Sequence, residues 1–565
     1  MIGHNSPISG VAAHGRFVAT AGYDNQLILW DADRKQACSR SLHDHLANQV
    51  AFSPDGRYVV SSSSDHTARL WTVPELKLVA VFANHDDDVE MSAFHPSREL
   101  VATASRDHCV RVYDFSGKLV CCMKGHTADV ISVAWSEDGL DLISSSDDGT
   151  IRRWSLESAR MLEEVDLGGV ETDTVVISPE GVIYAGNDDG EIVVIDGGNP
   201  RRTKAHDAGI KRLVYQAKTS LLVSLSYDRA MCVWSARGGV LEPVARATMP
   251  AEIWPRSCAF LDEKTLAFAT FGSSYAIYSI DQQAWDLEGV YPTPGINAVT
   301  VHEGRRLTVG DAGIVHADGR ELARTGSLCN FLVSAGSRVF TGGQMGQVFD
   351  ALTGELLHQH RSPLNCGATF ERNGLVHVII GAYTGEGLVF SVDAAGQVKH
   401  VATLQLHANA VKAVAASGGE VFSVCADAGA AWFATDDFRE LARAEEAHDK
   451  IANGCVALPA GCFVSVSRDH KLRIWENRRA TVLDTPHDHS IKCVSASLDG
   501  RYIASGSYFG AVAVYDRASG RWSEASRPTP AGISSITYDA ANRCFVASSY
   551  DGRLYPIHPE ESTCH

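Results

Sequence analysis

Three short clusters carry the residue types that catalysis or metal binding would need: His43-Asp44-His45, His85 with Asp86 to Asp88, and His487-Asp488-His489. Alternate residues of an extended segment share a face, so each His-Asp-His run can offer two imidazoles to one ion. A catalytic zinc generally takes three protein ligands and keeps a fourth position open. In both runs the first histidine also belongs to a longer repeated pattern, which leaves one spare imidazole apiece. The fourteen cysteines are scattered, with only Cys121 and Cys122 adjacent, and form no CxxC pair or compact Cys/His cluster. They read as buried, reduced thiols. No GxSxG elbow, HExxH helix or Gly-rich phosphate loop is present. The expectation is no catalytic residue, no cofactor, no metal site and no enzymatic activity.

The longer pattern has a period near 40 residues, the signature of stacked units that bury their apolar faces on one another. It is clearest over residues 125–154, GHTADVISVAWSEDGLDLISSSDDGTIRRW. There a histidine is followed by an alternating apolar strand, a turn, a small-residue strand, an Asp turn and a strand ending in Trp, three strands of period two. An Asp six residues before an aromatic recurs as Asp65 and Trp71, Asp107 and Tyr113, Asp148 and Trp154, Asp228 and Trp234, and Asp469 and Trp475. Each pair follows a histidine: His43, His85, His126, His206 and His448. A tight turn before the last strand brings the Asp near the histidine of the preceding loop. Buried polar groups must be paired, so such a set would fix local geometry.

With Trp30-Asp31 and Gly125-His126 as its dipeptide signatures, the sequence resembles the WD40-repeat family. The resemblance implies four-stranded antiparallel blades in which His, a strand Ser or Thr, Asp and Trp hydrogen-bond to one another. It assigns His43, Asp65, Trp71, His85, Asp107, His126, Asp148, Trp154, His206, Asp228, Trp234, His448, Asp469 and Trp475 to structure. Counting degenerate copies gives fourteen units, with turn slots at Asp24, Asp65, Asp107, Asp148, Asp189, Asp228 and Gly272, then three poor copies, then Asp427, Asp469, Phe509 and Asp551. Propellers of the family have four to eight blades, so fourteen imply two rings. The expected fold is all-β, two tandem seven-bladed β-propellers of fourteen four-stranded antiparallel blades. The first spans residues 1–288 and the second 289–565, whose first three blades are degenerate. The joint is sought within Gln282 to Gly295. The last blade ends soon after LYPIHP and lacks an outer strand. Either residues ahead of Gly3-His4 supply it, or the edge stays open, which proteins usually avoid.

Composition narrows the function. The 565 residues are 45% hydrophobic and 21% charged, enough apolar surface for a chain globular throughout. No apolar stretch approaches the roughly 20 residues of a membrane span, and the start MIGHNSPISG has neither a basic region nor an apolar core. The cytosol is the expected location. A net charge of −18 opposes nucleic-acid binding, which requires clustered Lys and Arg. The resemblance implies partners on the ring faces, beside the residues that follow the His loop or precede the turn Asp. In the first ring those slots suggest an exposed patch of Tyr23, Tyr227, Trp254, Arg256 and Phe271, a composition that interfaces favour, unless Trp254 and Phe271 only fill space left by the missing His and Asp of a degenerate blade. Opposite it an acidic arc holds Asp86 to Asp88, Glu90, Asp147, Asp173 and Asp188, either a solvated face or a surface able to steer a basic tail. The second ring offers Lys412, Arg468 and Lys492 with Tyr508, Phe509 and Tyr550, suited to an acidic peptide. The chain therefore reads as a non-catalytic scaffold or recognition subunit that binds other proteins or peptides. The alternative is a ligand sensor coupled to a separate effector, as in bacterial signalling or defence; a propeller hydrolase ranks last.

Overall fold

The computed structural model describes residues 2–197 and 199–559, and its regular structure is almost wholly strand. The strands form thirteen four-stranded sheets and one three-stranded sheet, each built from strands consecutive in the chain. All pairings within them are antiparallel. These sheets are the blades: 1 (8–42), 2 (47–82), 3 (89–124), 4 (130–166), 5 (172–204), 6 (210–248) and 7 (253–286), then 8 (296–324), 9 (329–359), 10 (364–405), 11 (411–444), 12 (452–484), 13 (491–522) and 14 (533–557).

The sequence makes this blade for identifiable reasons. Second strands are rich in small residues, as in Ala19–Gly22, Ser61–Ser64 and Ser144–Ser146, and are almost wholly buried. The residue after each turn Asp takes a positive φ, at 66° for Asn25, 62° for His66, 67° for His108 and 64° for Arg229. Blade 4 places Gly149 there, at 75°, where the left-handed region carries no steric cost. Outer strands alternate exposed and half-buried residues, as in Gln36–Leu42. The apolar layers lie between neighbouring blades. Trp71 of blade 2 packs with Ala19, Leu27 and Leu29 of blade 1, and Trp154 of blade 4 with Ala102 and Val112 of blade 3.

The chain divides into two compact units, Met1–Thr293 and Pro294–His565. The first holds blades 1 to 7 and the second blades 8 to 14. Within each unit the innermost strands touch in order around a ring, and the last meets the first: blade 7 against blade 1, and blade 14 against blade 8. In the first ring Val11 N–H donates to Ser257 Oγ at 3.0 Å across that closure. In the second, Arg306 pairs with Asp539 at 2.8 Å. The division falls a few residues after the sequence-based joint at 288, because blade 7 keeps its hold on the chain up to that point. Gly272 bridges Pro292, and Ser273 N–H donates to Tyr291 O at 2.8 Å.

One blade departs from the four-stranded expectation. Blade 14 has three strands, and no fourth joins it among the described residues. The residues ahead of blade 1 are committed elsewhere: His4 N–H donates to Ser273 O at 2.9 Å, so this segment lies against blade 7 of its own ring.

Candidate functional site

The residues that look catalytic form a buried hydrogen-bonded frame. In blade 2, His43 Nδ1 lies 2.9 Å from Asp65, its Nε2 lies 2.7 Å from Ser61 Oγ, and Trp71 Nε1–H donates to that hydroxyl at 2.8 Å. Blade 4 repeats the set with His126, Asp148, Ser144 and Trp154, each contact at 2.8 Å. Blade 6 does so with His206, Asp228, Ser224 and Trp234, and blade 12 with His448, Asp469, Ser465 and Trp475. Blade 1 has the same arrangement in His4, Asp24, Thr20 and Trp30. Burial acts to raise Asp148, but hydrogen bonds from His126, Thr150 and the Thr127 N–H outweigh it and hold its carboxyl well below the usual range. Asp65 and Asp469 are lowered in the same way.

Blade 3 varies the theme. His85 Nδ1 is 3.8 Å from Asp107, and Arg111 stands between them, donating to His85 at 3.0 Å and to Asp107 at 2.6 Å. Arginine four residues after the turn Asp recurs as Arg69, Arg152 and Arg473, each paired with its Asp. That spacing stands in the sequence and was the signal available for this missed brace. Of the His-Asp-His runs, His43 and His487 face their strand serines, while His489 stacks flat on Phe509 with centroids 4.0 Å apart. Phe509 fills the turn slot of blade 13, and His487 Nδ1 is buried without a hydrogen-bond partner. Burial pushes His487 down to about 4.

Beside the turns of the first ring, the candidate patch comes together but is not an exposed surface. Trp254 and Phe271 are 8% and 5% exposed. They stack with centroids 5.4 Å apart, and Tyr23 meets Trp254 edge-on at 5.1 Å. Blade 7 has neither histidine nor turn Asp; Phe268 and Tyr278 stand at its strand-Ser and closing-aromatic positions with Trp285 packed on both, while Trp254 and Phe271 pack beside the turn. What remains accessible is charge. Arg256, over Trp254, reaches Glu90 of blade 3 at 3.1 Å, so the patch and the acidic arc are joined rather than opposed. Arg106 binds Glu90 and Asp129 at 2.5 Å each, and Lys211 binds Asp173 and Asp188 while lying 5.4 Å from the Tyr227 ring centre. Asp129 was missed because it occupies neither surface slot. Asp147 Oδ1 is buried without a hydrogen-bond partner. Burial, with Asp173, Glu171 and Asp129 beside it, pushes the Asp147 carboxyl well above its usual range.

The second ring has the opposite character. Arg468 and Lys492 lie over the Tyr508 ring at 5.8 and 5.7 Å, and Lys412 over Tyr383, a residue the sequence reading passed over, at 5.1 Å. Arg527 covers Phe509 at 3.4 Å. Tyr550 lies near Gly532 on blade 14, half-buried. Among the described residues, two groups bring potential metal ligands within 4.8 Å of one another, His407 with Cys425 and Asp427, and His66 with Asp87 and Asp88. The first is a correction to the expectation of no compact Cys/His cluster, because the pairing of Cys425 with Val411 sets the thiol next to the loop that carries His407, 18 residues earlier. No helix among the described residues is long and apolar enough to cross a membrane.

Comparison with known proteins finds the same repeat over part of the chain. A family model described as WD domain, G-beta repeat matches residues 1–31, 36–72, 76–114, 117–155 and 480–516. Nuclear distribution protein PAC1 of Arthroderma benhamiae is 32% identical over 173 residues, 26% of this chain and 37% of that protein. The guanine nucleotide-binding protein subunit beta of Zea mays is 27% identical over 261 residues, 40% of this chain and 68% of the relative. The target of rapamycin complex subunit wat1 of Schizosaccharomyces pombe is 25% identical over 288 residues, 49% and 78% respectively. The match to PAC1 spans little more than a third of that relative's length.

Proposed function

Given that the chain is a WD40-repeat protein of two seven-bladed propellers, we propose that it is a non-catalytic interaction platform whose first ring receives a basic segment of a partner protein. The single observation that carries this reading is the unpaired, buried Asp147 Oδ1 among Asp129, Glu171 and Asp173. A carboxyl whose charged form is disfavoured by burial and acidic neighbours is favoured again when a Lys or Arg side chain arrives, and gains a charge-assisted hydrogen bond at low dielectric. Arg106, Lys211 and Arg256 already hold the surrounding carboxylates in place. The names of two relatives, a subunit of a target of rapamycin complex and a guanine nucleotide-binding subunit, favour a role within assemblies. The frame histidines are consumed by structural hydrogen bonds, which leaves them no acid–base role.

Affinity capture of the tagged full chain, with wild type and Asp147→Asn side by side, tests the proposal. Because burial and the acidic neighbours disfavour the charged form of Asp147, the near-isosteric amide removes the capacity to ionise with little change in packing. A discrete set of partners lost from the Asp147→Asn sample supports the reading. A chain recovered alone that converts a small molecule overturns it.

A further inference from the structure

In blade 11 the frame is broken at one point, and the break assembles a set of metal ligands. His407 keeps the histidine place, with Nε2 2.9 Å from Ser423 Oγ. Ser423 directs its own hydroxyl to Ala431 O at 3.4 Å, so it accepts from His407 Nε2–H and leaves the lone pair on Nδ1. Arg443, held by Glu440 at 2.6 Å, approaches that Nδ1 at 3.4 Å, as expected for a donor facing a lone pair. In blades 2, 4 and 6 the corresponding Nδ1 lies 2.8 to 3.2 Å from the turn Asp. Here Asp427 is the exposed member, with Oδ1 accepting from Gly429 N–H at 2.8 Å.

The residue two before the turn Asp is Ser63, Ser105, Ser146, Ser226 and Ser467 in blades 2, 3, 4, 6 and 12. In blade 11 it is Cys425, fully buried and aimed at the same point. The ligand atoms of His407, Cys425 and Asp427 all lie within 4.8 Å of one another. The arginine that braces blades 3 and 12 from four residues past the Asp is replaced by Ala431.

We infer that His407 Nδ1, Cys425 Sγ and Asp427 form a binding site for a zinc-class divalent ion, with water completing a tetrahedral shell. Imidazole, thiolate and carboxylate together select borderline metals over calcium or magnesium. Bond lengths of about 2.0–2.3 Å put the ligand atoms of such a shell about 3.5 Å apart. Ligand atoms that lie within 4.8 Å of one another close to that spacing on binding, and exposed Asp427 supplies the movement. The ion enters from the Asp427 side. Binding exchanges the Cys425 thiol proton for a metal–sulfur bond, with the proton released to buffer, one for each ion bound.

Cobalt(II) added to the full-length, metal-stripped protein tests the inference. One equivalent should give a thiolate-to-cobalt charge-transfer band and the strong visible bands of tetrahedral cobalt, both discharged by zinc. Cys425→Ser installs the residue that the other blades use, so the fold is retained. It should remove the charge-transfer band and weaken binding by at least the 10–100-fold that loss of an outer-shell partner costs. Asp427→Asn, at an exposed position, should weaken binding while leaving the band position. Absence of a charge-transfer band at one equivalent in the wild type, or a band unchanged in Cys425→Ser, overturns the inference.

Discussion

The two rings share a blade plan but hold it together differently. In the first ring, blades 1, 2, 4 and 6 carry the full His–Asp–Ser/Thr–Trp frame, and blade 3 closes its version through Arg111. In the second, blade 12 carries the full set, while blades 8, 9 and 10 form four-stranded sheets without it. The fold therefore does not need the frame. Strand alternation and the apolar layers between blades suffice, as with Phe331, Phe340, Val348, Ile380 and Phe390 between blades 9 and 10. What the frame adds is a fixed turn and a fixed loop. Where it lapses, other groups stand in or beside it: Phe268, Tyr278 and Trp285 in blade 7, a stacked His489–Phe509 pair in blade 13, a thiol next to the histidine in blade 11.

The largest expected effect falls on the ring stack beside the frameless blade 7 turn. Trp254→Ala removes the central ring of the Tyr23–Trp254–Phe271 stack and should cost roughly 3–5 kcal/mol, read as a lowered midpoint in denaturant. A cost under about 1 kcal/mol would show that the stack does not hold the turn of blade 7.

Acid should separate the rings next. In the second unit, burial lowers His358, His377, His407, His448 and His487, the third and fifth to about 4. In the first unit it lowers His85 and His95. A histidine depressed in the fold binds its proton later than in the unfolded chain, so its stabilisation is complete above about pH 6.5 and is lost as pH falls towards 4. His407 and His487 should each withdraw about 3 kcal/mol over that window. The depressed aspartates of the frame act lower: their contribution persists below pH 4 and is lost only as their folded values are passed. Calorimetry between pH 7 and 4.5 should show the transition of the second unit falling first. Equal falls in both would contradict the comparison.

A smaller pair of substitutions sharpens it. Asp148→Ala leaves His126 Nδ1 and the Thr127 and Thr150 N–H groups without their acceptor and should cost roughly 1–3 kcal/mol. Asp427→Ala occupies the same slot of blade 11 but removes no histidine bond, and should stay within about 0.5 kcal/mol in metal-free buffer. Matching losses would mean that Asp427 belongs to the frame after all.

The repeat was legible because its chemistry is local in sequence: the His, Asp and Trp of one blade sit at fixed spacings and point at one hydroxyl. The fourteen blades and their distribution between two rings follow from that count. The candidate site was less legible, because it is made by closing a ring. Glu90 and Arg256 stand 166 residues apart and meet across the first ring, which no slot-by-slot reading pairs. Trp254 looked exposed by its position and is buried, because Phe271 stacks on it and Tyr23 of the neighbouring blade closes on its edge. Cys425 carries no motif of its own; its pairing with Val411 brings it next to the loop that carries His407.

The central claim, that the first ring takes a basic segment at Asp147, is tested most directly by fluorescence anisotropy, together with the expectation from sequence that Arg468 and Lys492 of the second ring suit an acidic peptide. Lys/Arg-rich and Asp/Glu-rich peptides are titrated against the wild-type chain, Asp147→Asn and the Arg468→Gln/Lys492→Gln pair. The account predicts that Asp147→Asn weakens the basic peptide by at least about tenfold, or 1.4 kcal/mol, and leaves the acidic peptide unchanged, with the reverse for the double variant. If neither peptide binds the wild type, or all three proteins bind both peptides equally, the account is contradicted.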